Sequence, residues 1–127
     1  MPADFIANHR ELLIYQTAFE AAMRLFELSK AFPEDERSLL TRQILRSSRS
    51  VCANLAEAWQ KRRYRNAFMS KFNEVEAEAA ETQTWIEFAI LCEYLDPEVG
   101  QELFHQYEIV IAVAARFIEH ADAWVVK

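Results

Sequence analysis

Residues 41–65 read TRQILRSSRSVCANLAEAWQKRRYR, and the fold is decided by how this stretch is read. At about 100° per residue, Leu40, Ile44, Ser48, Val51 and Leu55 fall on one face of a helix, and Arg42, Arg46 and Arg49 form a stripe on the opposite side. The stripe leads into a short basic linker, Lys61-Arg62-Arg63-Tyr64-Arg65. One side packs and the other is charged, which is the pattern of a helix at the surface of a helical assembly. From Thr41 to Phe72, eight Lys or Arg (the seven of stripe and linker, and Lys71) face Glu57 alone, a local charge of +7. The rest of the chain sets six basic residues against nineteen acidic ones, −13, so a chain of formal charge −6 keeps most of its positive charge in one segment.

Working outward, 127 residues give one domain, 1–127, able to bury a single core. With 52% apolar residues, one Gly and three Pro, turns are few. That composition predicts an all-α chain, because an all-β fold of this size needs a turn every few residues. Cys52 and Cys92 lie inside helical patterns without a pairing motif and read as two buried, reduced thiols. The amino-terminal MPADFIANHRE has no basic start followed by an apolar run, so it is not a secretory signal. The most apolar window, Tyr107 to Ile118, contains Glu108 and Arg116 and is too short to span a bilayer. The expectation is a cytoplasmic protein with no membrane partner.

Four helices are predicted, at about 10–30, 34–60, 65–95 and 97–123. In the first, Leu12, Tyr15, Phe19, Ala22 and Phe26 form one row and Ile14, Ala18, Ala21, Leu25 and Leu28 another, a face wide enough for more than one neighbour. Phe32-Pro33 ends it, since proline disfavours helical geometry in the residue before it. Glu34, Asp35 and Glu36 then suit the positive amino end of the next helix. Ser47, Ser48 and Ser50 are small enough to let a neighbouring helix approach. In the third helix Phe68, Phe72, Val75, Ala79, Thr82, Ile86 and Ala89 step by four and three, while Glu74, Glu78 and Glu81 line another face as a solvated row or as partners for arginines. Asp96 and Pro97 open the fourth, whose inner row is Leu103, Tyr107, Val110, Ala114, Phe117 and Ala121. Phe104, Ile109, Ile111, Val113 and Ile118 are apolar on its other sides, more than one subunit easily covers, which points to self-association. Short connections make an up-down-up-down four-helix bundle, assembling as an oligomer.

Chemistry is sparse. A bundle that binds a pair of metal ions needs Glu-x-x-His on two helices, and only Glu102 to His105 fits. One Gly cannot build a phosphate loop, and no Cys pair has zinc spacing. The chain is therefore expected to be no enzyme and to use no metal or cofactor. The basic stretch is sharper: Lys61, Arg62, Arg63 and Arg65 stand beside Trp59, Tyr64 and Phe68, pairing phosphate-neutralising charge with rings on which bases stack. The candidate nucleic-acid-binding residues are Arg42, Arg46, Arg49, Lys61, Arg62, Arg63 and Arg65, contacting RNA or DNA. The competing reading makes the chain an oligomeric protein–protein interaction scaffold, with Trp59 and Phe68 capping the core and the arginines answering third-helix glutamates across a subunit boundary.

ELLIYQTAF, AFPEDERSLLTRQILRSSRSVCANLAEAW and AFMSKFNEVEAEAAETQTWIEFA resemble the four-helix-bundle proteins encoded within intervening sequences of large-subunit ribosomal RNA genes. The fold of that family is similar to that of the accessory variability proteins of diversity-generating retroelements. The likeness covers about Leu12 to Leu95. Its most specific part is Phe32-Pro33-Glu34, Leu40-Thr41-x-Gln43, Arg46 and Ser50-Val51-x-Ala53-Asn54-Leu55-Ala56-Glu57. The resemblance implies a homopentamer without enzymatic activity that meets nucleic acid or a nucleic-acid-processing protein. It also implies structural tasks for Gln43, Asn54 and Glu57, the latter two hydrogen-bonding at a helix or subunit junction. Ala58 stands where the family tends to have Gly, and Ala77-Glu78 where the third helix tends to have Gly-Ser, a change that adds charge at an expected close contact.

Overall fold

The computed structural model describes residues 6–126. Residues 1–5, the first part of the stretch read as lacking a secretory signal, lie outside the described residues. Four long helices make up most of the chain: α1 Leu13–Ser29, α2 Leu40–Gln60, α3 Arg65–Leu91 and α4 Pro97–Glu119, followed by a short α5, Ala121–Trp124. No strand occurs among the described residues. Successive helices pack on one another and α4 returns against α1, so the four close into a ring around one core. Along α2 and α3, Arg46 meets Glu81, Ser50 meets Glu78 and Glu57 meets Lys71, a descending order that makes the pair antiparallel.

The rows read from the sequence on α3 and α4 are the rows that are buried, whereas one of the two α1 rows is not: Tyr15 and Phe26 are only part-buried and Phe19 is exposed. Phe68, Phe72, Val75, Ala79, Thr82, Ile86 and Ala89 are the buried residues of α3. Leu103, Tyr107, Val110, Ala114 and Phe117 are buried on α4, with Ala121 following on α5. At one end, Phe72 stacks on Phe117 at 4.6 Å between centroids, Phe68 meets Phe72 at 4.9 Å, and Trp124 closes the cluster at 4.7 Å from Phe117 and 6.1 Å from Trp59. Aromatic pairs of this kind each add about 0.5–1.5 kcal/mol beyond the area they bury.

The helix ends differ from the expectation, for local reasons. The amino-terminal turn is a 3-10 turn at His9–Glu11, capped by Asn8 and Glu11, and α1 starts only at Leu13. Acidic Glu34–Glu36 forms a separate 3-10 turn rather than the first turn of α2. Leu39 leaves helical geometry, and α2 begins at Leu40, whose N–H donates to the Glu36 carboxylate at 3.3 Å. Asp96 caps α4 as expected, accepting from the Glu98 N–H at 2.8 Å. The fourth helix breaks at His120, so 97–123 is two helices, not one.

α3 stops at Leu91, four residues short of expectation, because Glu93 adopts φ 64°. Tyr94 N–H then bonds Ala89 O at 2.8 Å and Glu93 N–H bonds Ile90 O at 3.0 Å, the double closure of a Schellman ending. Glycine ordinarily holds that left-handed position; here a glutamate does. Cys92 sits at this end and is exposed, and Cys52 is only part-buried, which corrects the reading of two buried thiols. Burial still pushes the Cys52 thiol up to about 11.

The uncovered apolar surface is also not where the sequence placed it. α4 is sheltered by α1, α3 and α5, and among its residues only Ile109 is a large apolar side chain that stands exposed. Leu13, Phe19 and Met23 on α1, and Phe88 and Leu91 on α3, are the open ones, Leu91 at 83%. Among the described residues no helix is long and apolar enough to cross a membrane.

Replacing Glu93 by Gly is expected to stabilise the bundle by about 0.5–1 kcal/mol, because relief of left-handed strain outweighs the added freedom of the unfolded chain. Thermal unfolding followed by circular dichroism measures it, and a lower midpoint in the variant would contradict the strained ending.

Candidate nucleic-acid interface

α2 presents its basic stripe along one exposed side. Arg42, Arg46 and Arg49 are all exposed, and the 19 steps from Arg42 to Lys61 at 1.5 Å each carry the basic side about 28 Å to the start of the loop. Their surroundings separate them. Arg46 is clamped by α3: its guanidinium donates to Glu78 at 3.2 and 3.3 Å, to Glu81, and to Gln43 on its own helix at 3.4 Å. The hydrogen bonds it donates to Glu78 and then to Glu81 raise the Arg46 pKa. Glu78 also accepts from Ser50 at 2.7 Å. Burial works to raise the Glu78 pKa, but the hydrogen bonds of Arg46 and Ser50 outweigh it and the carboxyl ends below its ordinary 4.5. The charge that Glu78 adds to the close helix contact is thus answered within the chain.

Arg49 leans the other way, over the Phe26 ring of α1 at 5.8 Å, and forms no ion pair among the described residues. Arg42 also stands without an ion pair there.

The loop between α2 and α3 is divided in the same manner. Arg62 lies over Trp59, its Cζ 3.7 Å from the ring centroid, and its Nε donates to Trp59 O at 3.0 Å. Burial lowers its pKa, though an arginine at this height stays charged. Arg65 donates to Asp122 at 2.7 Å. Lys61 and Arg63 are exposed with no ion pair among the described residues. α3 starts at Arg65 with no acidic residue in its first turn and no side-chain cap, so the positive end of the helix adds to the same surface.

Of the three rings that the sequence places beside this charge, Trp59 and Phe68 belong to the core and offer no face to a base. Tyr64 alone is outside it, at 64% exposure. It was not among the candidate site residues. By spacing it continues the buried row of Phe68 and Phe72, so the sequence carried no signal for it; the extended backbone at Tyr64, φ −122° and ψ 100°, takes it off that row.

Gln43, Asn54 and Glu57 occupy the α2 flanks. Asn54 is buried and donates to Ser50 O at 3.0 Å and Ser50 Oγ at 3.1 Å, within its own helix instead of across a junction. Glu57 does cross, to Lys71 of α3 at 3.1 Å, and Lys71 also meets Glu74 at 3.3 Å. Those two carboxylates, Glu57 first, raise the Lys71 pKa. Farther along the same contact, beneath Arg46 and Glu78, Thr82 donates to Ser47 Oγ at 2.7 Å in the buried seam. Glu102 and His105 are exposed on α4, and no cluster of three or more His, Cys, Asp or Glu converges among the described residues.

A family model described as the 23S rRNA-intervening sequence protein matches residues 10–115. The chain belongs to that family. A solved structure from the S23 ribosomal protein family of Bacteroides thetaiotaomicron, a protein with unknown function, is similar to it at a TM-score of 0.76 and 29% identity. The match covers 84% of this chain and 96% of that one. No curated protein matches.

Because the folded Glu78 carboxyl is the stronger acid, its bonds to Arg46 and Ser50 stabilise the bundle above about pH 4.5 and are lost as falling pH protonates it. Glu78→Gln is therefore expected to lower stability at neutral pH and to flatten its acid dependence. Urea unfolding at a series of pH values tests this, and parallel curves for the two proteins would count against the pair.

Proposed function

We propose that this chain is a non-enzymatic bundle that binds RNA phosphates in the cytoplasm through Arg42, Arg49, Lys61 and Arg63. The observation that carries the reading is that these four cations stay exposed and without ion pairs among the described residues, in a chain with a large excess of carboxylates. Arg46, Arg62 and Arg65 instead hold the scaffold that presents them. The family's description ties its members to 23S rRNA, which favours RNA over DNA. The acidity of the remaining surface repels phosphate and confines contact to this side.

Self-association belongs to the same reading. Exposed Leu13, Phe19 and Met23 on α1 and Phe88 and Leu91 on α3 form separate apolar patches, on helices that do not touch, which neighbouring copies would cover. The resemblance noted above implies a ring of five. Copies arranged in a ring would repeat the basic stripe, so that individually weak phosphate contacts act together.

Single changes of Arg42, Arg49, Lys61 or Arg63 to Ala are expected to weaken RNA binding. Each should reduce the slope of log affinity against log salt by about 0.7 for a single strand. Fluorescence anisotropy over a salt series reads this, and no binding at low salt, or four unchanged slopes, would overturn the proposal. For assembly, Phe88→Glu with Leu91→Glu is expected to reduce the particle to the mass of one chain in light scattering. A wild type already at that mass would rule self-association out.

A further inference from the structure

We infer that the α2–α3 loop captures unpaired RNA, with one base stacked on Tyr64 and the flanking phosphates on Lys61 and Arg63. This rests on the RNA-binding reading above and names the form of RNA that the site takes.

The loop is four residues long, Lys61 to Tyr64, and its backbone is held by hydrogen bonds at Lys61, Arg62 and Tyr64. Tyr64 N–H donates to Lys61 O at 2.9 Å and Tyr64 O accepts from Phe68 N–H at 2.9 Å. Arg62 O accepts from Val126 N–H at 2.9 Å, which ties the loop to the far end of the chain. Arg62 on Trp59 and Arg65 on Asp122 anchor the two sides. Tyr64 therefore stands on a fixed backbone, and a tyrosine has few torsions left to lose when it is covered.

Its ring is 64% exposed and meets no other aromatic ring among the described residues. Isolated exposed aromatics are ordinary on protein surfaces. This one differs in its neighbours, because the two residues of the same loop that remain free of ion pairs, Lys61 and Arg63, are both cations and both precede it closely in the chain. An aromatic face beside two unpaired cations matches the repeating chemistry of a single strand, in which apolar base faces alternate with phosphates. A paired A-form helix offers no such match. Its bases are covered by one another and its deep groove is too narrow for a side chain to reach them.

The test compares binding of an unstructured oligouridine with that of a fully paired RNA duplex of matched length, for the wild type, Tyr64→Ala, Tyr64→Trp and Arg63→Ala. The wild type is expected to prefer the oligouridine. Tyr64→Ala should weaken that binding about 5- to 150-fold without changing its salt slope, the range for loss of one stacked base. Tyr64→Trp should retain it. If Tyr64→Ala binds as the wild type does while Arg63→Ala is weakened, the phosphate contacts stand and the stacking is overturned. Equal affinity for the duplex overturns the preference for unpaired RNA. If the wild type binds neither probe at low salt, the underlying RNA reading fails and this inference with it.

Discussion

The close antiparallel contact of α2 with α3 is the constraint on which the rest of the molecule depends. It is made where Ser47 presents almost no bulk, so that Thr82 reaches Ser47 in a buried seam. Each hydroxyl also has a carbonyl of its own helix in reach, Ile44 O at 3.5 Å for Ser47 and Glu78 O at 2.9 Å for Thr82, so the Ser47–Thr82 contact ties the two helices together without rescuing an orphaned group. Immediately outside the seam, Arg46, Ser50, Glu78 and Glu81 form a second, half-exposed layer in the same register. Side chains of the wrong size at 47 or 82 would separate both layers together.

That register decides which cations remain available. Arg46 is directed onto α3 and is spent there, while Arg42 and Arg49 lie on the same helix without an ion pair among the described residues. At the far end, the aromatic cluster of Trp59, Phe68, Phe72, Phe117 and Trp124 serves the loop in the same way. Trp59 takes Arg62, and the turn at His120 brings Asp122 to Arg65. The basic surface is thus smaller than the basic sequence, and more rigid. Its remaining cations are separated by residues that fix the backbone between them.

Legibility differed by element. The buried rows of α3 and α4 were readable because burial in a helix follows a period that a single chain displays. The end of α3 was not. Nothing in Glu93 announces a left-handed residue, and the closure depends on hydrogen bonds from Glu93 and Tyr94 back to Ile90 and Ala89. The start of α2 was misplaced for a similar reason: three acidic residues suit any helical amino end, and the interruption at Leu39 is set by Glu36, which caps Leu40 and also accepts from Tyr94 of the opposite connection at 2.9 Å. The uncovered apolar surface moved from α4 to α1 and α3 because coverage depends on which helices flank which, information that no one helix contains.

By itself the sequence determined four amphipathic helices, their core rows, and a basic segment set in an acidic chain. Each of these is a property of local spacing and composition. Only the tertiary structure decided which guanidinium pairs with a carboxylate, which ring is buried and which is left to solvent. Those outcomes depend on distances between residues far apart in the chain, such as Arg46 and Glu78 or Arg65 and Asp122, and periodicity carries no record of them.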